Sequence, residues 1–369
     1  MGRSEQKPLR VIHSRAPIRI CDNGGWTDTW FAGNGKVLNI GVGPCSEVEI
    51  EVYPCESGRE RCMIHAENYG DCYAWDVSGS AWDRHPLLEA SIRYTGLPDD
   101  VSICVTLYSH VPAGASTGTS ASIAVALIAA LDELSGGRRA PHEVAYAAHH
   151  VETVLLGQQS GIQDQLCAAY GGVNYIEISK YPHATVSQLR LPDPIWWELE
   201  RRLVLIYLGK PHHSSQTHER VIRHLEVAGS TAQPLEALRA AAELARDALV
   251  AGHLAAFGQA MIQNTEAQRH LHPDLVGPEA QRVIEIAQTH AAAGWKVNGA
   301  GGDGGSLTLL CGASSAAKRA MIRQIEQDNS LFESIPIRLA RTGVRAWTVA
   351  GQCKSAPGAH FPRSSVSST

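Results

Sequence analysis

Between Pro112 and Ser120 the chain reads PAGASTGTS, and an almost wholly apolar stretch follows over residues 121–134. Gly114 and Gly118 permit turns that a side chain would block. Ser116, Thr117, Thr119, Ser120 and Ser122 place hydroxyls where helix caps are favoured, so a buried helix is predicted behind the loop. A loop ending in a helix N-terminus offers free backbone N–H groups and the positive end of the helix dipole, which suits a phosphate; an ordinary capped core helix needs the same residues. A second anion site of this kind, or a second capped helix, is spelled by Lys210, His212, His213, Ser214 and Ser215 at a strand-to-helix turn. Three carboxylates stand out. Asp28 follows Gly24, Gly25, Trp26 and Thr27 at a sharp turn, where it could hold a polyol or close an Asx turn. Glu152 lies among apolar neighbours on a predicted helix, either as a metal ligand or as a solvated carboxylate. Asp164, between two glutamines, opens another short helix, where the dipole favours an acid.

The elements that must carry these residues alternate in type. Strands are predicted at 11–21 (a pair broken at Pro17), from 37, at 45–53, 101–108, 173–178, 203–208 and 345–350. Helices are predicted at 121–134, 140–156, 160–170, 234–250, 254–268, 278–293 and 316–327. Residues 182–194 read as loop, and the domain boundary is placed there. A hairpin is predicted around residues 299–305, five glycines of which lie between two apparent strands, letting backbone approach something closely. Residues 354–369, rich in Ser and Pro, read as a disordered tail.

The 369 residues, 44% hydrophobic and 19% charged, are those of an ordinary soluble globular chain. A net charge of −5 gives no support for nucleic acid or a membrane surface as partner. The nine cysteines form no C-x-x-C pair, which argues for a reducing, cytoplasmic setting without a disulfide framework. The first residues lack the apolar core of a signal peptide, and no run long enough to span a bilayer occurs. Gly299, Gly301 and Gly304 fit G-x-G-x-x-G, but a strand follows them where a dinucleotide fold needs a helix. The pattern G-x-x-x-x-G-K-[ST] is absent from the sequence.

Three segments in order give the chain a family likeness. APIRICDNGGWTDTW resembles a sugar-kinase signature in which an Arg precedes a sugar-holding Asp by nine positions, here Arg19 and Asp28. PAGASTGTSAS is similar to P-x-G-x-G-L-G-S-S-A-S, and KVNGAGGDGGSLTLL to K-x-x-G-A-G-G-G-G. Together they resemble the GHMP kinases, over about residues 15–350. Ser116 stands for a loop Gly, Thr117 for Leu and Thr119 for Ser, and Asp303 interrupts the last glycines. GGWTDT and GIQDQ…YGG are most similar to the fucokinase and D-glycero-D-manno-heptose 7-phosphate kinase branch.

The resemblance implies an α+β fold of two domains, at 1–190 with the phosphate loop and at 191–353 with the glycine hairpin, the active site lying in the cleft between them. It implies ATP and Mg²⁺ as cofactors and a sugar or sugar phosphate as acceptor, in a monomer or homodimer. Pro112, Gly114, Ser116, Thr117, Gly118, Thr119, Ser120 and Ala121 would wrap the triphosphate. Ser120 and Glu152 would hold the metal, Asp164 would act as base, and Arg19 would steady the developing charge. Gly25, Trp26, Thr27, Asp28, Gly301 and Gly302 would contact the acceptor. Lys210 and His213 would read a phosphate on it, making a heptose 7-phosphate, taken at its anomeric hydroxyl, the expected substrate ahead of a free hexose. A diphosphomevalonate-type decarboxylase is disfavoured by the GGWTDT turn. A non-catalytic sensor is disfavoured by the presence of both Glu152 and Asp164.

Overall fold

The computed structural model describes residues 7–56, 59–79, 81–211, 215–229 and 233–350. The expected tail at 354–369 and His213 lie outside the described residues. The chain opens on β1 (Arg10–Asn23), a single strand with Pro17 inside it. This corrects the expected broken pair. Pro17 falls where the register against the next strand shifts, between Ala16 and Ile18, and a residue without an N–H is tolerated at such an irregularity. The neighbour, β2 (Gly35–Pro54), is likewise one strand of 20 residues where two were expected. Its pairing with β1 slips between Val42 and Ser46 and then resumes.

There follow β3 (Cys62–Ala66), β4 (Asp71–Ala74), α1 (Pro86–Thr95), β5 (Val101–Ser109), α2 (Thr119–Leu134), α3 (Pro141–His150), α4 (Gln163–Tyr170), β6 (Val173–Lys180) and β7 (His183–Gln188). The β7 strand and the first two residues of α5 (Asp193–Arg202) fall in the stretch expected to be loop. The remainder is β8 (Leu203–Tyr207), α6 (Ser215–Ala228), α7 (Gln233–Val250), α8 (Leu254–Leu271), α9 (Pro278–Thr289), β9 (Gly294–Val297), β10 (Ser306–Leu310), α10 (Ser315–Asp328), β11 (Glu333–Ile335), β12 (Arg338–Leu339) and β13 (Arg345–Ala350).

Among the described residues the strands form two sheets. The larger runs β13-β1-β2-β5-β3-β4, with β6 and β12 also on β2 and β7 on β6; the smaller runs β11-β8-β10-β9. The last strand thus returns to the first sheet, pairing antiparallel with Arg10–Arg15.

Two features position the site. The first half of β1 alternates between partly exposed and buried residues, whereas its second half, from Ala16, is buried throughout. There α7, α8 and β9 pack over it. Ile18 and Ile20 accordingly share one core with Leu205 of β8 and Phe257 of α8. The second feature is α2, buried along nearly its whole length, with Leu127, Ile128 and Leu131 fully inside. Each such side chain contributes roughly 1.5–3 kcal/mol relative to exposure. Ser122 Oγ donates to the carbonyl of Ala16 at 2.8 Å, tying this helix to β1 beside Pro17.

Candidate active site

A cavity of about 310 Å³ opens where the loop before α2, the end of β1, the start of α4 and the β9–β10 turn meet. Arg19, Trp26, Asp28, Glu152 and Asp164 all line it, as do the residues from Gly114 to Ala121. Elements far apart in sequence therefore bring one guanidinium and several carboxylates to a single polar space.

Arg19 anchors the arrangement. Its side chain is nearly buried, and its Nε and Nη2 donate to the two oxygens of Asp164 at 2.7 and 3.1 Å. Its Nη1 donates to the Ser116 carbonyl, and its backbone N–H donates to the Thr117 carbonyl at 2.9 Å. Burial alone would lower the Arg19 pKa, but the charges of Asp164 and Asp22 outweigh it and hold the guanidinium above its ordinary value. Asp164 lies in the first turn of α4, one residue after Gln163.

The loop differs from expectation in how it starts its helix. No hydroxyl caps α2. The N-cap is Gly118, at φ +67°, a left-handed conformation that glycine adopts without steric cost. Ser116 also has positive φ, +56°, uncommon for a residue with a Cβ, and its Oγ is buried without a partner among the described residues. Thr117 and Thr119 bond each other at 3.1 Å, so their hydroxyls serve the loop's own shape. Ser120 is exposed to the cavity.

The helix expected over residues 140–156 breaks its hydrogen-bond pattern near its end: α3 passes into a π turn at Val151–Leu155. Such turns recur at functional sites. This one carries Glu152, whose Oε2 accepts from Gln165 Nε2 at 2.6 Å. Burial pushes the Glu152 pKa up to about 7, with the Asp164 charge adding to it and the Ser160 and Gln165 hydrogen bonds opposing. A buried carboxylate with no cationic partner among the described residues, lining the same cavity as the Ser120 hydroxyl, is a donor set suited to a hard dication. Among the described residues there is no group of three or more His, Cys, Asp or Glu side chains that could hold a metal. Glu152 and Ser120 therefore fit an ion that takes its other ligands from water or phosphate, which is the habit of Mg²⁺.

Asp28 accepts from the Gln163 N–H at 3.1 Å through Oδ2. Burial pushes its pKa up to about 6; the Gln163 hydrogen bond opposes and the Asp164 charge assists. Trp26, at φ +79°, walls the same side and donates through Nε1 to the Ala300 carbonyl at 3.2 Å.

Several expected contacts do not reach the cavity. Thr27 is fully buried, its hydroxyl spent on the carbonyls of Gly24 and Lys36. Gly25 and Pro112 shape turns behind the lining: the Gly25 N–H donates to the Asp22 carbonyl at 3.0 Å, and the Pro112 carbonyl accepts from the Ala115 N–H at 3.3 Å. In the glycine hairpin, Gly299 and Ala300 face the cavity, whereas Gly302 donates to the Leu275 carbonyl at 2.9 Å and Gly301 packs on the same backbone. Lys210 is a correction of a different kind. Its ammonium pairs with Glu279 at 2.6 Å and Asp303 at 3.6 Å, outside the cavity lining. Asp303, expected near the phosphates, is likewise exposed and turned to Lys210.

Asp22 and Lys296 carried no expectation, yet they form an ion pair at 3.3 Å with both side chains fully buried. Lys296 opens the glycine-rich segment, but nothing near Asp22, at the end of β1, marks it as buried and paired.

A smaller, more apolar cavity of about 110 Å³ adjoins the first, with Ser120 common to both; Leu88, Leu107 and Ile123 line it, with Asn68 and Tyr69 at hand.

Residues 86–172 match the family described as GHMP kinases N terminal domain. A bifunctional fucokinase/GDP-fucose pyrophosphorylase of Arabidopsis thaliana is 25% identical over 349 residues, 88% of this chain, which spans about a third (32%) of that longer protein. A D-glycero-alpha-D-manno-heptose 7-phosphate kinase of Campylobacter jejuni is 23% identical, over 92% of this chain and 100% of its own. Among solved structures, a D-glycero-D-manno-heptose 1-phosphate kinase of Bacteroides thetaiotaomicron superposes with a TM-score of 0.70 at 22% identity, covering 93% of this chain and 100% of that one, a likeness of fold.

Proposed function

We propose, from the premise that residues 86–172 form a GHMP kinase N-terminal domain within a GHMP kinase fold, that the protein is an ATP-dependent sugar kinase. The observation that carries this reading is the Arg19–Asp164 pair set at the α2 N-terminus, with Glu152 and Ser120 lining the same cavity. Phosphoryl transfer asks for positioning and charge stabilisation more than covalent chemistry. The backbone N–H groups from Gly118 to Ala121 would receive the triphosphate, and the adjoining apolar cavity has the character of a base site. Mg²⁺, held by Glu152 and Ser120, would neutralise phosphate charge. Asp164 would take the proton of the attacking hydroxyl, Arg19 would face the charge developing on the transferred group, and Asp28 would accept from sugar hydroxyls.

The favoured acceptor is a free sugar, phosphorylated at its anomeric hydroxyl. Among the described residues the cavity is lined by four carboxylates (Asp22, Asp28, Glu152 and Asp164) against one cation, Arg19, whose three donor atoms are engaged. Asp22 is paired with Lys296 behind the lining and Asp164 with Arg19, so no cation of the described lining is left to receive a second, fixed phosphate on the acceptor. Lys210, the expected reader of that phosphate, already has two acidic partners. The full-length likeness to the Campylobacter heptose 7-phosphate kinase favours the second reading, a phosphorylated heptose.

An ADP-release assay with ATP and Mg²⁺ against fucose, galactose, mannose, glucuronate, free heptose and heptose 7-phosphate decides between them. Turnover of a free sugar is expected. Turnover of the phosphorylated heptose alone would favour the second reading. Silence with every sugar from a protein that binds ATP would overturn the kinase reading.

The Asp28 pKa of about 6 sets a pH dependence. Only the ionised carboxylate accepts two hydroxyl hydrogens, so activity rises with pH through that value. At saturating ATP and Mg²⁺, kcat/KM for the sugar is expected to climb about tenfold per unit up to pH ~6 and then level. In Asp28→Asn that limb should vanish along with most of the sugar affinity. Persistence of the limb would assign it to another group.

A further inference from the structure

We infer that Asp22 is a positioning residue: with Lys296 it clamps the β9–β10 turn onto β1 and thereby holds Arg19 toward Asp164. The inference rests on the phosphotransfer reading of the site. Both carboxylate oxygens of Asp22 accept from the single Gly299 N–H, at 3.1 and 3.0 Å. Lys296 donates to Asp22 Oδ1 at 3.3 Å, to Gln268 Oε1 at 3.2 Å and to the Val297 carbonyl. Gln268 in turn donates through Nε2 to the Gly299 carbonyl at 3.0 Å. The two peptide units flanking the Gly299 Cα are therefore tied, the N–H by Asp22 and the carbonyl by Gln268, with Lys296 bridging the two ties.

What Gly299 touches gives the clamp its consequence. A Cβ at this position would lie 3.2 Å from Arg19 Nη2 and 3.2 Å from the Ser116 carbonyl that Arg19 also binds. The turn is thus the wall against which the guanidinium rests. Asp22 also lies 3.4 Å from Gln163 Nε2, the side chain next to Asp164 in sequence. Stability alone does not account for so deep an ion pair, because an apolar pair of like volume commonly stabilises a fold as well or better. Only a carboxylate at position 22 both fixes the Gly299 N–H and adds a second negative charge behind Arg19.

The test uses Asp22→Asn alone and combined with Lys296→Met, which removes the ammonium that the first change strands in the core. Hydrogen exchange of the peptide spanning residues 296–306 reads the clamp without reference to catalysis. Exchange there is expected to quicken about tenfold or more, with α9 unaffected. In the same proteins kcat should fall about tenfold or more while KM for ATP stays within about twofold. In an Arg19→Gln background Asp22→Asn should add less than about threefold, since its effect passes through the lost guanidinium. Unchanged exchange in the folded double variant overturns the clamp. An equal loss of kcat in both backgrounds overturns the action through Arg19. A wild-type protein silent on every sugar would count against the kinase reading, and the exchange result would still decide the clamp.

Discussion

Asp164→Asn is expected to leave a folded protein that binds ATP normally and turns over on the order of a hundredfold or more slowly, the usual size of a general-base contribution. The substitution is nearly isosteric, and the Asn oxygen can still accept from Arg19 Nε, which lies 2.7 Å from the present Oδ1. Geometry is therefore largely kept while the proton acceptor is lost. A cost in stability comes with it, because Arg19 is buried to within 5% of its side chain and loses its nearest countercharge. Breaking a fully buried pair costs about 3–5 kcal/mol. Here Asp164 keeps 24% of its side chain exposed, so a smaller loss applies. Thermal melts separate the two effects: a lowered Tm with kcat intact at low temperature would mean that Asp164 is structural and the base lies elsewhere. Because the transition state of phosphoryl transfer is loose, a loss near tenfold would assign Asp164 to orienting the hydroxyl instead of accepting its proton.

The second large effect comes from a glycine. At Gly161 an added Cβ would stand 2.0 Å from Asp28 Oδ2 and 2.6 Å from its Cγ. The Asp28 carboxylate has nowhere to retreat, since it is buried and held by the Gln163 N–H. Gly161→Ala must displace either Asp28 or the segment leading into α4. A misplacement of about 1 Å costs on the order of a hundredfold in rate. The expected result is a fall of that order in kcat/KM for the sugar, with ATP affinity unchanged and Tm lower by the equivalent of about 1–3 kcal/mol of overpacking. Steady-state kinetics in both substrates check this. If Gly161→Ala also abolishes ATP binding, the acceptor and phosphate regions are not separable as described.

Much of the site was legible in the sequence because its residues sit in short segments of unusual composition. Arg19, Asp28, Glu152 and Asp164 were singled out from such segments, and they do line one cavity. What failed to show was whatever depends on distant partners. Lys210 reads as a free cation until Glu279 and Asp303, some seventy and ninety residues away in sequence, fold against it. Gly301 and Gly302 share a motif with Gly299, but the twist of the turn directs them to Leu275. Asp22 was invisible for the converse reason, as nothing in DNGGW distinguishes a turn carboxylate from a buried one paired with Lys296. In the fold, Pro17 and the Gly-rich middle of β2 read as breaks. Pairing along a long sheet carried both strands through, with shifts in register in place of ends.

The return of β13 to the first sheet also bears on the life of the nascent chain. Until Arg345–Ala350 emerge, the strand that carries Arg19 and Asp22 keeps one edge open along residues 10–15. At synthesis rates of about 5–20 residues per second that interval is roughly 15–65 s. An unpaired edge is a template for association with other chains. The β1–β13 pairing, which spans nearly the whole sequence, makes completion of the larger sheet a late event, set by the ribosome's progress more than by the local folding of β1 itself.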